Sequence, residues 1–244
     1  MGPMYNQLLI SRDSTYEEWK YFPIQETGLS IGEILYLGGL SQSITSEPYT
    51  CPIWQHDPAF RSKRYDPNSS YTFASAGCLV CSLTMLLQEL GYNDNPEQVA
   101  AKLASVGAFV DGSLNHPSKV QAVYPKVTWH YDNFILGKYS SFVNWESAPA
   151  NVEVLQWVLS KQSCPVKVDF NPGTTAIDQH FVLALKNGYE PDPTGGKNDN
   201  LWVLDPWTGC KTSVLTYLNP KWMYKSTLTK VQRVLLGMRV WFNG

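Results

Sequence analysis

The sequence has few charged residues and no marked excess of either sign. Lys, Arg, Asp and Glu make up 16% of the 244 residues, and 19 basic against 21 acidic residues leave a net charge of -2. Proteins that bind nucleic acid gather Lys and Arg on one face, because these side chains neutralise phosphates. The chain has no such basic stripe, so we expect no nucleic-acid partner.

Long apolar runs are also missing. No window reaches about 18 consecutive apolar residues, which is the length that a membrane-spanning helix requires. The N-terminus has no basic region followed by an apolar segment, as a secretory signal peptide would have. These absences predict a protein without a membrane partner, either cytoplasmic or delivered to the outside by another route.

Cysteine is sparse, and its five positions are Cys51, Cys78, Cys81, Cys164 and Cys210. An odd and small number does not make a disulfide scaffold in a chain of this length. The cysteines do not form the two closely spaced pairs of a structural zinc site. The turn-rich stretch 190–200 offers oxygen ligands, but it lacks the spacing and the terminal glutamate of a calcium loop. We therefore predict no metal and no cofactor.

The composition is otherwise that of a globular protein long enough to be an enzyme. Apolar residues make up 43% of the chain, with 9 Trp and 14 Tyr, which is sufficient for a full core. The stretches that suggest chemistry all follow residue 49. We divide the chain into an N-terminal extension of unknown role, residues 1–48, and one domain, residues 49–244.

The most informative stretch is residues 74–87, where a cysteine stands at the predicted start of an apolar helix. Leu79, Leu83, Leu86 and Leu90 recur at helical spacing. Cys78 then lies in the first turn, where free backbone N–H groups and the helix dipole favour an anion. The pKa of a thiol at this position is expected to be lower than the unperturbed value of about 8.5, so the thiolate forms at lower pH.

The order of the other elements indicates an α+β fold. A second helix is predicted at residues 95–106 because Asn95 is a cap before Pro96, and a third includes Val152, Leu155 and Val158. Strands are predicted at residues 127–131, 165–170, 180–185, 201–204 and 231–242, with a connector at 187–200. Helices thus come first and an antiparallel sheet follows.

Two polar residues lie at the ends of neighbouring predicted strands. His180 opens one strand and Asp205 closes the next. If the two strands form a hairpin, the start of the first lies beside the end of the second. A nucleophilic cysteine needs a base and a group that orients the base. Cys78, His180 and Asp205 are therefore candidates for these three roles, although each residue taken alone is more typical of a structural role.

Four segments resemble the papain-like cysteine peptidases of the C39-like group, the relatives of bacteriocin-processing peptidase domains. These segments are Trp-Gln-His-Asp-Pro at 54–58, Ala-Gly-Cys-Leu-Val-Cys-Ser-Leu-Thr-Met-Leu at 76–86, His-Phe-Val-Leu at 180–183, and Val-Leu-Asp-Pro-Trp at 203–207. The resemblance implies a papain-like fold, in which a helical part with the nucleophile packs on an antiparallel sheet that carries His and Asp.

The resemblance also implies a role for each site residue. Cys78 is the nucleophile, His180 the general base and Asp205 the orienting carboxylate. Gln55 and the backbone N–H of Cys78 are the two oxyanion donors. The implied activity is that of a cysteine peptidase that cleaves a peptide or isopeptide bond. A peptide, a protein or bacterial peptidoglycan is the expected substrate, in a bacterial or phage setting.

The chain departs from this family in two respects. Cys81 creates a Cys-x-x-Cys at the helix start, which is the arrangement of thiol-disulfide redox proteins. The chain also lacks the transporter to which bacteriocin-processing domains are fused. Three alternatives therefore remain open: a redox protein that uses Cys78 and Cys81, a catalytically silent binding or structural protein on the same fold, and an acyltransferase. The substrate and the oligomeric state do not follow from the sequence.

Overall fold

The computed structural model describes residues 51–134, 148–169, 179–218 and 228–243, so the predicted extension 1–48 lies outside the described residues. The helices are α1 (Phe73–Ala76), α2 (Cys78–Glu89), α3 (Pro96–Ser105), α4 (Val120–Val123), α5 (Ala148–Leu159) and α6 (Lys230–Val234). The strands are β1 (Phe109–Val110), β2 (Ser113–Leu114), β3 (Val127–Phe134), β4 (Cys164–Asp169), β5 (Gln179–Glu190), β6 (Asn200–Asp205), β7 (Cys210–Ser213) and β8 (Leu235–Asn243). The described ranges also contain 3₁₀ turns at Pro117–Lys119 and Val214–Tyr217.

Strands β3 to β8 form one antiparallel sheet in the order β3-β8-β4-β5-β6-β7. Alternate side chains point to opposite faces of a strand. Leu183 and Leu204 accordingly pack into the core that contains α2, whereas Val182 and Val203 pack into the core that contains α5. The chain is therefore α+β with a six-stranded antiparallel sheet, which is compatible with a papain-like fold.

Helix α2 confirms the prediction from the leucine spacing, since it begins at Cys78 and ends at Glu89. Every residue from Leu79 to Leu87 is buried, because β5 packs against one side of the helix and α3 against another. A buried helix of this kind is a rigid support for a side chain at its first position. No helix in the described part of the chain is long and apolar enough to cross a membrane.

The predicted second helix is also confirmed, and its start has the expected cap. The Asn95 side chain accepts a hydrogen bond from the Gln98 N–H, and the Gln98 side chain accepts one from the Asn95 N–H. Pro96 occupies the first turn and Val106 is the C-terminal cap. This reciprocal pair satisfies two backbone donors that a helix start otherwise leaves open.

The hairpin of β5 and β6 is present with Leu183 opposite Leu204 and Ala184 opposite Val203. Its outer part differs from the prediction, because β5 continues to Glu190 and the connector covers residues 191–199 rather than 187–200. A register shift between Ala184 and Tyr189 absorbs the difference. Asn187 adopts a φ of 56° within it, a left-handed conformation that Asn tolerates better than most residues.

The strand predicted at residues 231–242 is wrong over its first part. Residues Lys230–Val234 are helical and β8 begins at Leu235. The helix starts at a capping box in which Thr229 and Gln232 exchange hydrogen bonds. The Asp199 carboxylate also accepts hydrogen bonds from the Thr229 hydroxyl and the Val231 N–H. These contacts outweigh the strand preference of the valines.

Three further predictions agree with the structure. Helix α5 contains the predicted third helix. Strand β3 extends the strand predicted at 127–131. Strand β4 covers most of the strand predicted at 165–170, whose last residue lies outside the described residues.

Candidate functional site

Cys78 is the first residue of α2, and Gly77 connects this helix to α1. A Cβ added at Gly77 would lie 2.6 Å from the carbonyl oxygen of Phe73, so the two helices can meet this closely only at glycine. Gly77 provides no side-chain cap, and the first N–H groups of α2 are therefore not satisfied by a capping side chain. Cys78 itself is partly exposed.

His180 and Asp205 form a hydrogen bond where β5 begins and β6 ends. Nε2 of His180 lies 2.7 Å from Oδ1 of Asp205, and both side chains are buried. Cys78 lies near enough to the same imidazole to interact with it electrostatically. The structure thus joins His180 to Asp205 directly and places Cys78 beside this pair.

Asp205 has two more donors, neither of which the sequence analysis predicted. Oδ1 also accepts a hydrogen bond from the backbone N–H of Trp207, at 2.8 Å. Oδ2 accepts one from the Tyr217 hydroxyl, at 2.7 Å. Tyr217 lies in the 3₁₀ turn that follows β7, and no local motif marks it. The contact depends on the pairing of β7 with β6 and cannot be read from the sequence.

Helix α2 is tied to β5 one turn after the thiol. The Ser82 hydroxyl donates a hydrogen bond of 3.2 Å to the carbonyl of Phe181, the residue next to His180. Ser82 is fully buried, so this bond fixes the helix relative to the strand that carries the imidazole. Sequence reasoning did not assign Ser82 a role.

The electrostatics of the site favour a charged thiol. Burial raises the pKa of Cys78, because a charged sulfur is poorly solvated inside a protein. The hydrogen bond with His180, the charge of its ring and backbone hydrogen bonds at Phe181 and Leu79 lower the pKa by more. The resulting pKa lies below its ordinary value.

The imidazole and the carboxylate are also held in their charged forms. Burial lowers the pKa of His180, but the charge and hydrogen bond of Asp205, together with Cys78, raise it to about 10. Burial raises the pKa of Asp205, and His180, Tyr217 and the Trp207 N–H lower it below its usual range. The pKa shifts of Cys78, His180 and Asp205 therefore all favour the charged form of each group.

Gln55 is fully buried between the two halves of the site. Its backbone N–H donates to the carbonyl of Pro206, which follows Asp205. Its side-chain Nε2 lies 3.3 Å from the Phe73 carbonyl and 3.1 Å from the Ala74 carbonyl, so it contacts the helix that precedes Cys78. The amide donors thus bind carbonyls of α1 in this structure, and the oxygen Oε1 has no partner among the described residues.

Aromatic rings cover the histidine and aspartate. The Trp207 ring meets that of His180 edge-on, with the centroids 6.4 Å apart, and the carbonyl of Trp207 accepts a hydrogen bond from the Trp54 indole. The loop between β6 and β7 ends at Gly209. The φ of Gly209 is 67°, and a Cβ added there would lie 3.0 Å from the Trp54 ring. Glycine is therefore required where this loop turns towards β7.

The other half of the Cys-x-x-Cys motif is fully buried. Cys81 packs in the core formed around α2, and burial together with the charges of Cys78 and Cys51 raises its pKa well above the ordinary value. Cys81 is therefore a protonated side chain of the core. Among the described residues, no group of three or more His, Cys, Asp or Glu side chains is placed to hold a metal ion.

The comparison with protein families gives one result. The family model described as Peptidase C39 like matches residues 54–229, a range that contains Gln55, Cys78, His180 and Asp205. No match was found among curated proteins or solved structures. Because the family match spans well over half of the sequence, the chain belongs to the peptidase C39-like family, which points to a cysteine peptidase in general.

Proposed function

We propose that this protein is a cysteine peptidase that hydrolyses a peptide or isopeptide bond at Cys78. The observation that carries the proposal is the hydrogen-bonded pair of His180 and Asp205 beside Cys78 at the start of α2. A nucleophile, a base and a group that orients the base are what acyl transfer by a thiol requires. The family membership supports the same reaction class.

In the first half of the reaction, the thiolate of Cys78 attacks the carbonyl carbon of the scissile bond. The carbonyl oxygen becomes an oxyanion in the tetrahedral intermediate. His180, which is charged, gives its proton to the leaving amine as the C–N bond breaks. The amine leaves, and the acyl group stays on Cys78 as a thioester.

In the second half, water replaces the amine. His180 is now neutral and takes a proton from the water, while the water oxygen attacks the thioester carbonyl. Collapse of the second tetrahedral intermediate breaks the C–S bond and releases a carboxylic acid. The thiolate and the imidazolium are then restored, and Asp205 keeps the ring in one orientation throughout.

We assign the oxyanion to two donors, the backbone N–H of Cys78 and the side-chain amide of Gln55. The N–H of Cys78 lies at the helix start, where the dipole favours a negative charge. The Gln55 amide adjoins the turn before Cys78. To act as an oxyanion donor, one of its N–H groups must give up its hydrogen bond to a carbonyl of α1 and donate to the substrate oxygen instead. The oxyanion is the stronger acceptor, since it carries charge.

Gln55→Ala is expected to lower kcat by about 100-fold to 1,000-fold, which is the usual effect of removing one oxyanion donor. The alkylation rate of Cys78 should stay unchanged, because the thiolate does not depend on this amide. The matched control is Gln162→Ala, since Gln162 is also buried and also donates to a backbone carbonyl, that of Trp241. An equal loss of activity in both variants would assign Gln55 a role in packing.

The substrate class can be found by profiling the protein against a peptide library and against purified peptidoglycan. Mass spectrometry of the products should show new amine and carboxylate ends, and the Cys78→Ala protein reports contaminating activity. Added amines separate the two acyl-transfer alternatives, because a transferase gives amide products and a hydrolase gives carboxylates. A protein that cleaves neither substrate and whose Cys78 has an ordinary thiol pKa would be the silent binding protein.

A further inference from the structure

Asp205 is almost completely buried, and a buried carboxylate requires donors on both of its oxygens. Oδ1 accepts hydrogen bonds from His180 and from the Trp207 N–H. Within the described part of the chain, Tyr217 is the donor to Oδ2. The hydroxyl of Tyr217 therefore holds the carboxylate oxygen that does not face His180.

The fold holds this hydroxyl in place. Tyr217 ends a 3₁₀ turn in which the Ser213 side chain accepts a hydrogen bond from the Leu215 N–H, and the Thr216 hydroxyl donates to the Ser213 carbonyl. Strand β7 before this turn pairs with β6, which ends at Asp205. Tyr217 is itself buried, and burial and the charge of Asp205 raise its pKa well above the ordinary value. Its hydroxyl thus keeps its proton near neutral pH.

We infer that Tyr217 is a positioning residue of the site, which holds Asp205 in the orientation that His180 requires. Without the hydroxyl, Oδ2 is left buried and unsatisfied, and the carboxylate can rotate about its Cβ–Cγ bond. Asp205 then stabilises the imidazolium less well, and the imidazolium in turn stabilises the thiolate of Cys78 less well. This inference rests on the proposed function, since it concerns the same site residues.

The test is the pH dependence of Cys78 alkylation by iodoacetamide, followed by mass spectrometry of the peptide that contains Cys78. In Tyr217→Phe, the inflection of the rate should move to higher pH by about 1 unit, so that alkylation below the inflection slows about tenfold. The matched control is Tyr189→Phe. Tyr189 donates to Asp199 at 2.9 Å near the far end of the same hairpin, so its loss should leave the profile unchanged.

A double-mutant cycle separates positioning from general destabilisation. In an Asp205→Asn background, Tyr217→Phe should cause less than about a twofold further change, because the charge that Tyr217 holds is already gone. Thermal unfolding of each variant shows whether it is folded at the assay temperature. Equal shifts in Tyr217→Phe and Tyr189→Phe, or full additivity with Asp205→Asn, would overturn the inference.

The same data distinguish failure of the inference from failure of the proposed function. If the wild-type inflection is low and Tyr217→Phe does not move it, Tyr217 has no positioning role and the peptidase proposal stands. If the wild-type inflection lies at the ordinary value for a thiol, about 8.5, His180 and Asp205 do not activate Cys78. The proposed function then fails, and this inference fails with it.

Discussion

Cys78→Ala is expected to abolish hydrolysis of any substrate that the wild-type protein cleaves, with a loss of at least about 1,000-fold in kcat. The substitution removes the atom that forms the thioester and leaves the other site residues in place. Because Cys78 is partly exposed at the start of α2, alanine leaves no cavity in the core. Initial rates of product release measure the loss, and thermal unfolding reports whether the variant is folded.

Cys81→Ala is the control that separates the peptidase from the redox alternative. Cys81 is fully buried, and alanine is preferable to serine because an unsatisfied hydroxyl in an apolar core costs about 1–3 kcal/mol. A peptidase should keep most of its activity in this variant, whereas a thiol-disulfide oxidoreductase requires both cysteines. Hydrolysis that persists in Cys78→Ala would contradict the proposed function. A complete loss of activity in a folded Cys81→Ala variant would favour the redox alternative.

The parts of the fold that the sequence predicts correctly are those with a local cause. Helix α2 follows from the leucine spacing, and α3 follows from the cap at Asn95 and from Pro96. The hairpin of β5 and β6 follows from two apolar strands and a turn-rich connector. That hairpin alone suffices to suggest that His180 and Asp205 are neighbours, because the ends of paired antiparallel strands adjoin.

The helix α6 was missed although a local signal for it exists. Thr229 and Gln232 have the spacing of a capping box, and the structure contains both of its hydrogen bonds. The valines in this stretch favour a strand, and the strand prediction follows from them and not from the capping box. Asp199 adds two hydrogen bonds to the helix start, and this contribution comes from a distant loop.

Tyr217 and Ser82 belong to a different class, since nothing near them in the sequence marks their contacts. Ser82 reaches Phe181, which is 99 positions away, and Tyr217 reaches Asp205 through the pairing of β6 and β7. A helical serine and a tyrosine after a strand are ordinary residues at such places. Their contacts exist only after the sheet and α2 have packed, so only the structure identifies them.

His180→Ala is expected to raise the pKa of Cys78 from below to above its ordinary value. The burial that raises this pKa remains in the variant, whereas the hydrogen bond and the charge that lower it are lost. A change of about 2 units reduces the thiolate fraction, and hence the rate of Cys78 alkylation, about 100-fold near pH 6. Iodoacetamide labelling between pH 5 and about pH 10, the pKa of His180, measures this loss on the Cys78 peptide.

The matched control is His116→Ala, because His116 is exposed and its removal should leave the profile unchanged. Rapid alkylation of Cys78 at low pH in His180→Ala would show that the helix start activates the thiol by itself.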